Sequence, residues 1–344
     1  MIRFESDYLE GAHPKILDAL VKTNMVQTSG YGKDHFCEQA KALIKEKCEA
    51  PEADVHFLVG GTQTNKTVIT SILRPYQGVL SPDTGHIQTH ETGTIERSGH
   101  KILTLPNIEG KITAKHVQDV CELHFNLETP EHMTQPGMVY ISHPTEIGTL
   151  YTKKELEDLR AICDTYELPL FLDGARLSYG LTASQTDVTL ADISRLCDVF
   201  YIGGTKCGTL FGEAVVITNK ALQKDFLYHI KQNGGLLAKG RLLGLQFYAL
   251  FEDDLHLEIT KQANDLSLRI HDAFKKKGYE FLINSVTNQQ FPIIPDDKLE
   301  ILKQKYSYTY WKRMNETHSA VRFCTSWATL PEYVDALVAD IESL

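Results

Sequence analysis

The residues of this chain best suited to chemistry are Asp173 and Arg176, in Asp173-Gly174-Ala175-Arg176, and Lys206, at the end of Gly203-Gly204-Thr205-Lys206. Each group follows a short apolar run, Leu168-Pro169-Leu170-Phe171-Leu172 in one case and Val199-Phe200-Tyr201-Ile202 in the other. Runs of that length, broken by proline or glycine, read as buried parallel strands rather than helices. Open α/β sheets bind ligands in the crevice beyond the carboxyl ends of their strands, which is where these side chains would stand. A lysine and an aspartate delivered to one crevice suit pyridoxal phosphate, because the amine forms an imine and the carboxylate holds the pyridine nitrogen protonated. Taken separately, the two stretches also fit a buried Asp173–Arg176 pair capping a loop, with Lys206 solvated.

Three further groups could complete such a site. Val55-His56-Phe57-Leu58-Val59 reads as a strand that passes through Gly60-Gly61-Thr62-Gln63-Thr64-Asn65 into a helix carrying Val68, Ile69 and Ile72. Unpaired amides and the dipole at a helix start attract an anion, glycines let the backbone approach it, and threonine hydroxyls donate. The loop is neither a GxGxxG fingerprint nor a Walker A loop, so it reads as a phosphate cradle or as a helix cap without ligand. His86 and His90, four apart beside Glu91, have a spacing that can bind zinc, but no third ligand is evident, and no metal is expected. A stacking imidazole over a planar ring, or plain surface histidines, fit equally. Arg322 stands on the opposite face of a strand from Val321 and Phe323, where it could take a carboxylate bidentately or face solvent.

The elements that must position these residues follow the chain. His13-Pro14 opens an amphipathic helix through Leu20, and Tyr31-Gly32-Lys33-Asp34 turns into a helix with Ala40, Leu43 and Ile44 on one face. Met138 to Ser142 reads as a buried strand emptying into His143-Pro144-Thr145-Glu146-Ile147-Gly148-Thr149, and a helix from Lys153 to Tyr166 returns to the Asp173 strand. This strand–helix alternation predicts a right-handed, mostly parallel sheet. Ala214 to Ile217 adds a strand, a helical region runs to about Lys277, and a smaller α/β unit follows: strands at Tyr279 to Ile283, Phe291 to Ile294 and Val321 to Cys324, then a helix from Pro331. The expected division is 1–245 for a large cofactor-binding domain with the N-terminal segment, and 246–344 for a small C-terminal domain.

The chain has 344 residues and a formal charge of −10, with no basic block, which argues against nucleic acid as a partner. No apolar run approaches membrane-spanning length, so no membrane association is expected. Seven cysteines without CxxC spacing, and no signal-peptide core at the N-terminus, predict reduced thiols and a cytoplasmic protein.

Taken together in chain order, the Gly/Thr loop, His86, Asp173-Gly174-Ala175-Arg176, Gly203-Gly204-Thr205-Lys206 and Arg322 resemble the threonine aldolase family, within the β-eliminating-lyase group of pyridoxal-phosphate enzymes. The resemblance implies the aspartate-aminotransferase-like architecture (fold type I). It implies retro-aldol cleavage of L-threonine, L-allo-threonine and other β-hydroxy amino acids to glycine and an aldehyde. It further implies that Lys206 carries the cofactor imine, that Asp173 pairs with the pyridine nitrogen, and that His86 stacks on the ring and handles protons. Gly61, Thr62 and Thr205 then belong to the cofactor site and Arg176 to cofactor and substrate, while Ser6 and Arg322 hold the substrate carboxylate. Lys239 and Arg241 match a basic segment that reaches a neighbouring subunit's phosphate, which implies a homo-oligomer with shared sites, a dimer assembled further into a tetramer. Many family members carry a histidine where an ungapped match puts Thr145, with His143 two residues earlier; another branch carries a run like Thr145-Glu146-Ile147-Gly148-Thr149. The alternatives are a β-eliminating pyridoxal enzyme acting on an aromatic or other amino acid, and a catalytically silent binding protein on the same fold.

Overall fold

Residues 1–344 are described by a computed structural model. The apolar runs form a seven-stranded sheet in the order Asp54–Leu58, Glu213–Ile217, Val199–Gly203, Leu170–Asp173, Gln135–Ser142, Gln77–Pro82, Lys101–Leu105. Only Glu213–Ile217 runs against its neighbours; the other strands share one direction. Successive side chains of a strand point to opposite faces, and both faces here are covered. Val139, Ile141, Leu170, Leu172, Phe200 and Ile202 enter one core. Met138, Tyr140, Phe171, Val199 and Tyr201 enter a second one on the other side. The Lys153–Thr165 helix that makes the crossover is started by a Thr152/Glu155 capping box and buries Leu156, Leu159 and Cys163.

A third core belongs to the smaller unit. It joins the Leu255–Lys276 and Pro331–Ser343 helices to an antiparallel sheet of Ile293–Pro295, His318–Cys324 and Thr309–Arg313. Tyr279 to Ile283 is not a strand: Phe281 makes only an isolated bridge with Pro292, and its ring packs on His271. Apolar residues there are half-buried by a turn, without a ladder. Gln77–Pro82, Lys101–Leu105, Thr309–Arg313 and the Ala114–Phe125 helix carry weaker patterns and come only from the structure.

The first residues of the N-terminal segment, expected with the large unit, pack with the small one, while Ala12 and Ile16 enter the large core. Ile2 and Arg3 pair with Tyr306 and Ser307, and Phe4 packs in the third core. Residue 245 lies inside the continuous Arg241–Phe251 helix, whose Phe247, Leu250 and Phe251 remain in the large core. No helix is long and apolar enough to cross a membrane.

Candidate active site

The carboxyl ends of the parallel strands and the start of the reversed Glu213–Ile217 strand meet at one edge of the sheet. Close backbone crossing there requires glycine. A Cβ on Gly174 would lie 1.9 Å from the Tyr201 carbonyl oxygen, and one on Gly203 would lie 2.3 Å from that of Ala175. With hydrogen at both positions the two loops touch, and the Gly203 amide donates to the Gly174 carbonyl at 2.9 Å. The two glycine-containing motifs are thus one joint, and it brings Asp173 and Lys206 to the same cavity, of about 570 Å³. Gly61, Thr62, His86, Arg176, Thr205 and Arg322 also line it.

Asp173 is buried and accepts four hydrogen bonds: from the hydroxyls of Tyr140 (2.6 Å) and Tyr201 (2.5 Å), the Asn65 amide (3.0 Å) and the Ala175 backbone (3.0 Å). Burial opposes ionisation, but His86 and the tyrosine and asparagine donors prevail and keep its pKa below the ordinary value. The Tyr179 hydroxyl holds the Lys206 carbonyl at 2.7 Å. Burial, and then the Arg176 charge, depress the Lys206 amine pKa, which favours the nucleophilic neutral form.

His86 donates or accepts at Nδ1 with Glu91, 2.9 Å away, and Glu91 also accepts from Asn65 at 2.7 Å. Burial lowers the imidazole pKa, but the Glu91 hydrogen bond and Asp173 outweigh it, and the net shift is upward. His90 lies edge-on to His86, with ring centroids 5.5 Å apart.

Arg176 gives Nε and Nη2 to the fully buried Asp7, at 2.6 and 3.0 Å. Much of its guanidinium is therefore committed within the chain. Arg322 gives Nη2 to the Glu5 carbonyl (2.8 Å) and Nη1 to Gln289 (3.1 Å), lies 5.6 Å from the Trp311 ring centroid, and leaves its buried Nε unpartnered. Ser6, next along from Glu5, is buried with no partner for its hydroxyl. It does not line the cavity wall.

Neither His143 nor Thr145 reaches the cavity. His143 is fully buried, accepts from the Tyr151 amide at 3.3 Å, and burial takes its pKa down to about 4. Thr145 is tied to the Thr149 hydroxyl at 2.6 Å. The group this loop presents is Glu146, which accepts from Ser142 (2.6 Å) and the His86 amide (2.9 Å). Lys239 and Arg241 lie outside this chain's cavity. Lys239 is exposed, whereas the Arg241 guanidinium donates to the carbonyls of Thr23, Asn24 and Val26 and closes the end of the Pro14–Lys22 helix.

The sequence alone assigned no role in the site to Asn65, Glu91, Tyr140, Glu146, Tyr201 or Glu213. Two of them carry a signal: Tyr140 and Tyr201 sit inside buried strands, where a phenol needs a partner for its hydroxyl.

The residues fit pyridoxal phosphate. The Gly61–Ile72 helix starts at Gly60 with no side-chain cap, leaving its first amides to an anion, and a Cβ on Gly61 would crowd the Tyr201 hydroxyl at 3.2 Å. An ionised Asp173 suits a pyridine nitrogen, and a depressed lysine suits the aldehyde.

Comparison with known proteins agrees. The β-eliminating lyase family model matches residues 4–293. A low-specificity L-threonine aldolase from a Pseudomonas strain is 30% identical, over 99% of this chain and 97% of its own length. The structure of a threonine aldolase from Leishmania major superposes with a TM-score of 0.97 at 43% identity, covering 100% of this chain and 99% of the other. A probable N-succinyldiaminopimelate aminotransferase from Thermus thermophilus, 14% identical with a TM-score of 0.73 over 100% and 94% of the two chains, shares the fold.

Proposed function

The chain belongs to the β-eliminating lyase family, and from that premise we infer that it is a pyridoxal-phosphate-dependent aldehyde-lyase cleaving L-threonine or L-allo-threonine to glycine and acetaldehyde. The observation that carries this reading is the Gly174/Gly203 joint, which sets Lys206 and the four-donor Asp173 in one cavity with Arg322. Bound pyridoxal phosphate supplies the electron sink that takes up the pair released when Cα–Cβ breaks. The chain supplies the rest. Lys206 would provide the attachment amine, Asp173 would hold the proton on the pyridine nitrogen, and the loop of Gly61 and Thr62 would hold the phosphate end, with Thr205 beside Lys206 in the cofactor site.

Arg322, whose side chain lines the cavity, receives the substrate carboxylate and so orients Cα–Cβ for cleavage. Arg176 is held against the cavity by Asp7 and backs that site. Ser6 supports it from behind. His86, fixed by Glu91, takes the β-hydroxyl proton, with His90 and Glu146 beside it.

We place the protein in the cytoplasm, in keeping with seven buried, unpaired cysteines. We assign it a homo-oligomeric state whose smallest active unit is a dimer. Val21, Met25, Tyr31 and Tyr228 are exposed, and the Tyr31 amide donates to the Ala238 carbonyl while its ring meets the Lys231 ammonium, so an exposed aromatic adjoins the exposed Lys239.

The test is the reaction. Threonine should yield glycine and acetaldehyde in equal amounts, the aldehyde read through alcohol dehydrogenase, without ammonia or a keto-acid requirement. Ammonia from tyrosine or serine at a higher rate than glycine from threonine would transfer the assignment to β-elimination.

A further inference from the structure

One acidic group in the cavity has no part in the scheme above. Glu213 opens the reversed strand, opposite Leu58 on one side and Gly203 on the other, and is 3% exposed. Its Oε1 accepts from the Thr205 hydroxyl at 2.9 Å, and that hydroxyl in turn accepts from the Gly212 amide at 3.0 Å. Its Oε2 is buried and has no partner. A carboxylate in that position leaves one oxygen uncompensated in a poorly solvated wall, whereas a carboxylic acid carries a proton there to donate.

We propose that Glu213 and Lys206 hold one proton between them, on the carboxyl when the lysine nitrogen is neutral and on the nitrogen when the carboxyl is ionised. In the transfer one proton leaves a carboxyl oxygen and binds nitrogen, no electrons change hands, and the net charge of the pair is conserved. The proposal rests on Lys206 as the attachment lysine. The charged and titratable groups facing Glu213 are Lys206, Asp173, Tyr201 and Cys207. Burial pushes the Glu213 carboxyl up to about 8 against the pull of Thr205 and Lys206, while burial and Arg176 bring Lys206 down towards it. The geometry joins them as well: one Glu213 oxygen is held by Thr205, the residue next to Lys206, the other is unpartnered, and both side chains line one cavity, an arrangement in which two groups titrate as a pair.

Glu213 then acts as a positioning residue for charge, keeping a proton on the lysine nitrogen over a wider pH range than a neutral wall would. The test is the pH titration of the visible absorbance of the holoenzyme. In Glu213→Gln no anion can form, so the midpoint should fall by about one pH unit, the low end of what a neighbouring opposite charge does. At the acid end both spectra should coincide, since Glu213 is then protonated in the parent too. Thr205→Val keeps the carboxyl but removes its donor, and should move the midpoint the same way by less. An unmoved or raised midpoint in Glu213→Gln overturns the proposal, as does an unmoved one in Thr205→Val should the first variant not fold. Borohydride reduction of the same preparations separates the two readings. Cofactor fixed on Lys206 with unmoved midpoints refutes proton sharing alone, and cofactor fixed on another lysine refutes the attachment assignment as well.

Discussion

At the scale of single residues, function here depends on charges held in fixed states by donors around them. Asp173 stays ionised because the His86 charge and the donors of Tyr140, Tyr201 and Asn65 outweigh its burial. Asp173→Asn should keep the fold and the cofactor yet lower kcat about 100-fold or more, a loss in the range measured for removing one preorganised electrostatic group. Equal turnover at saturating cofactor would contradict the electron-sink role. His86 is the second case. Its pKa is raised in the folded protein, so the His86–Glu91 contribution to stability is complete below the unfolded value near 6.5 and is lost as pH rises through the folded one. Glu91→Gln should lower the imidazole pKa and move the acidic limb of kcat/KM to lower pH. An acidic limb that does not move would remove His86 from proton transfer.

Among the elements, the N-terminal segment has the least conspicuous sequence and a central mechanical part. Asp7 receives Arg176 from the loop after the central strand and the Asn288 amide (2.9 Å) from the small unit, so three distant parts of the chain converge on one carboxylate. Burial opposes its charge, but Arg176 and Lys206 bring its pKa down to about 2. Asp7→Asn leaves Arg176 without its counter-charge and should cost about 3 kcal/mol, the lower end for breaking a buried pair. A depressed carboxyl gives stability above its unfolded pKa of 3.8 that disappears as pH falls through the folded value. The difference between parent and variant in denaturant midpoint should therefore be constant above about pH 4 and shrink towards pH 2. A difference that does not change with pH would locate the effect in packing.

For the whole molecule, the prediction concerns assembly. If the face of Val21, Met25, Tyr31 and Tyr228 meets a second copy and Lys239 contributes to the neighbour's site, dilution should release cofactor and activity together. Sedimentation at falling concentration, followed at the visible absorbance of the cofactor, checks this. A monomer that stays coloured and active would exclude shared sites. Lys239→Ala should raise the concentration of half-loss, whereas Arg241→Ala should act mainly on stability, since its guanidinium closes a helix end of its own chain.

The sequence by itself determined the strands that carry the chemistry, because a fully buried parallel strand must be a short continuous apolar run and its functional residue must lie just past the end. Leu170–Asp173 and Val199–Gly203, with Asp173 and Lys206 beyond their apolar centres, are legible for that reason, and so are the Gly/Thr loop and the alternation that exposes Arg322. Only the tertiary structure decided which polar groups turn into the cavity. Thr145 and Glu146 are adjacent in the chain, yet one is tied to Thr149 and the other faces the site, a choice made by the loop's path. Glu213 reads as the start of an ordinary apolar strand, and becomes part of the site because that strand runs backwards and so begins where its neighbours end. Arg241 donates to the carbonyls of Thr23, Asn24 and Val26, some 215 residues earlier in the chain, a set of partners that its own segment does not disclose. Strand identity is written in local periodicity, while strand direction and side-chain partners depend on contacts between residues far apart in the chain, which no local pattern records.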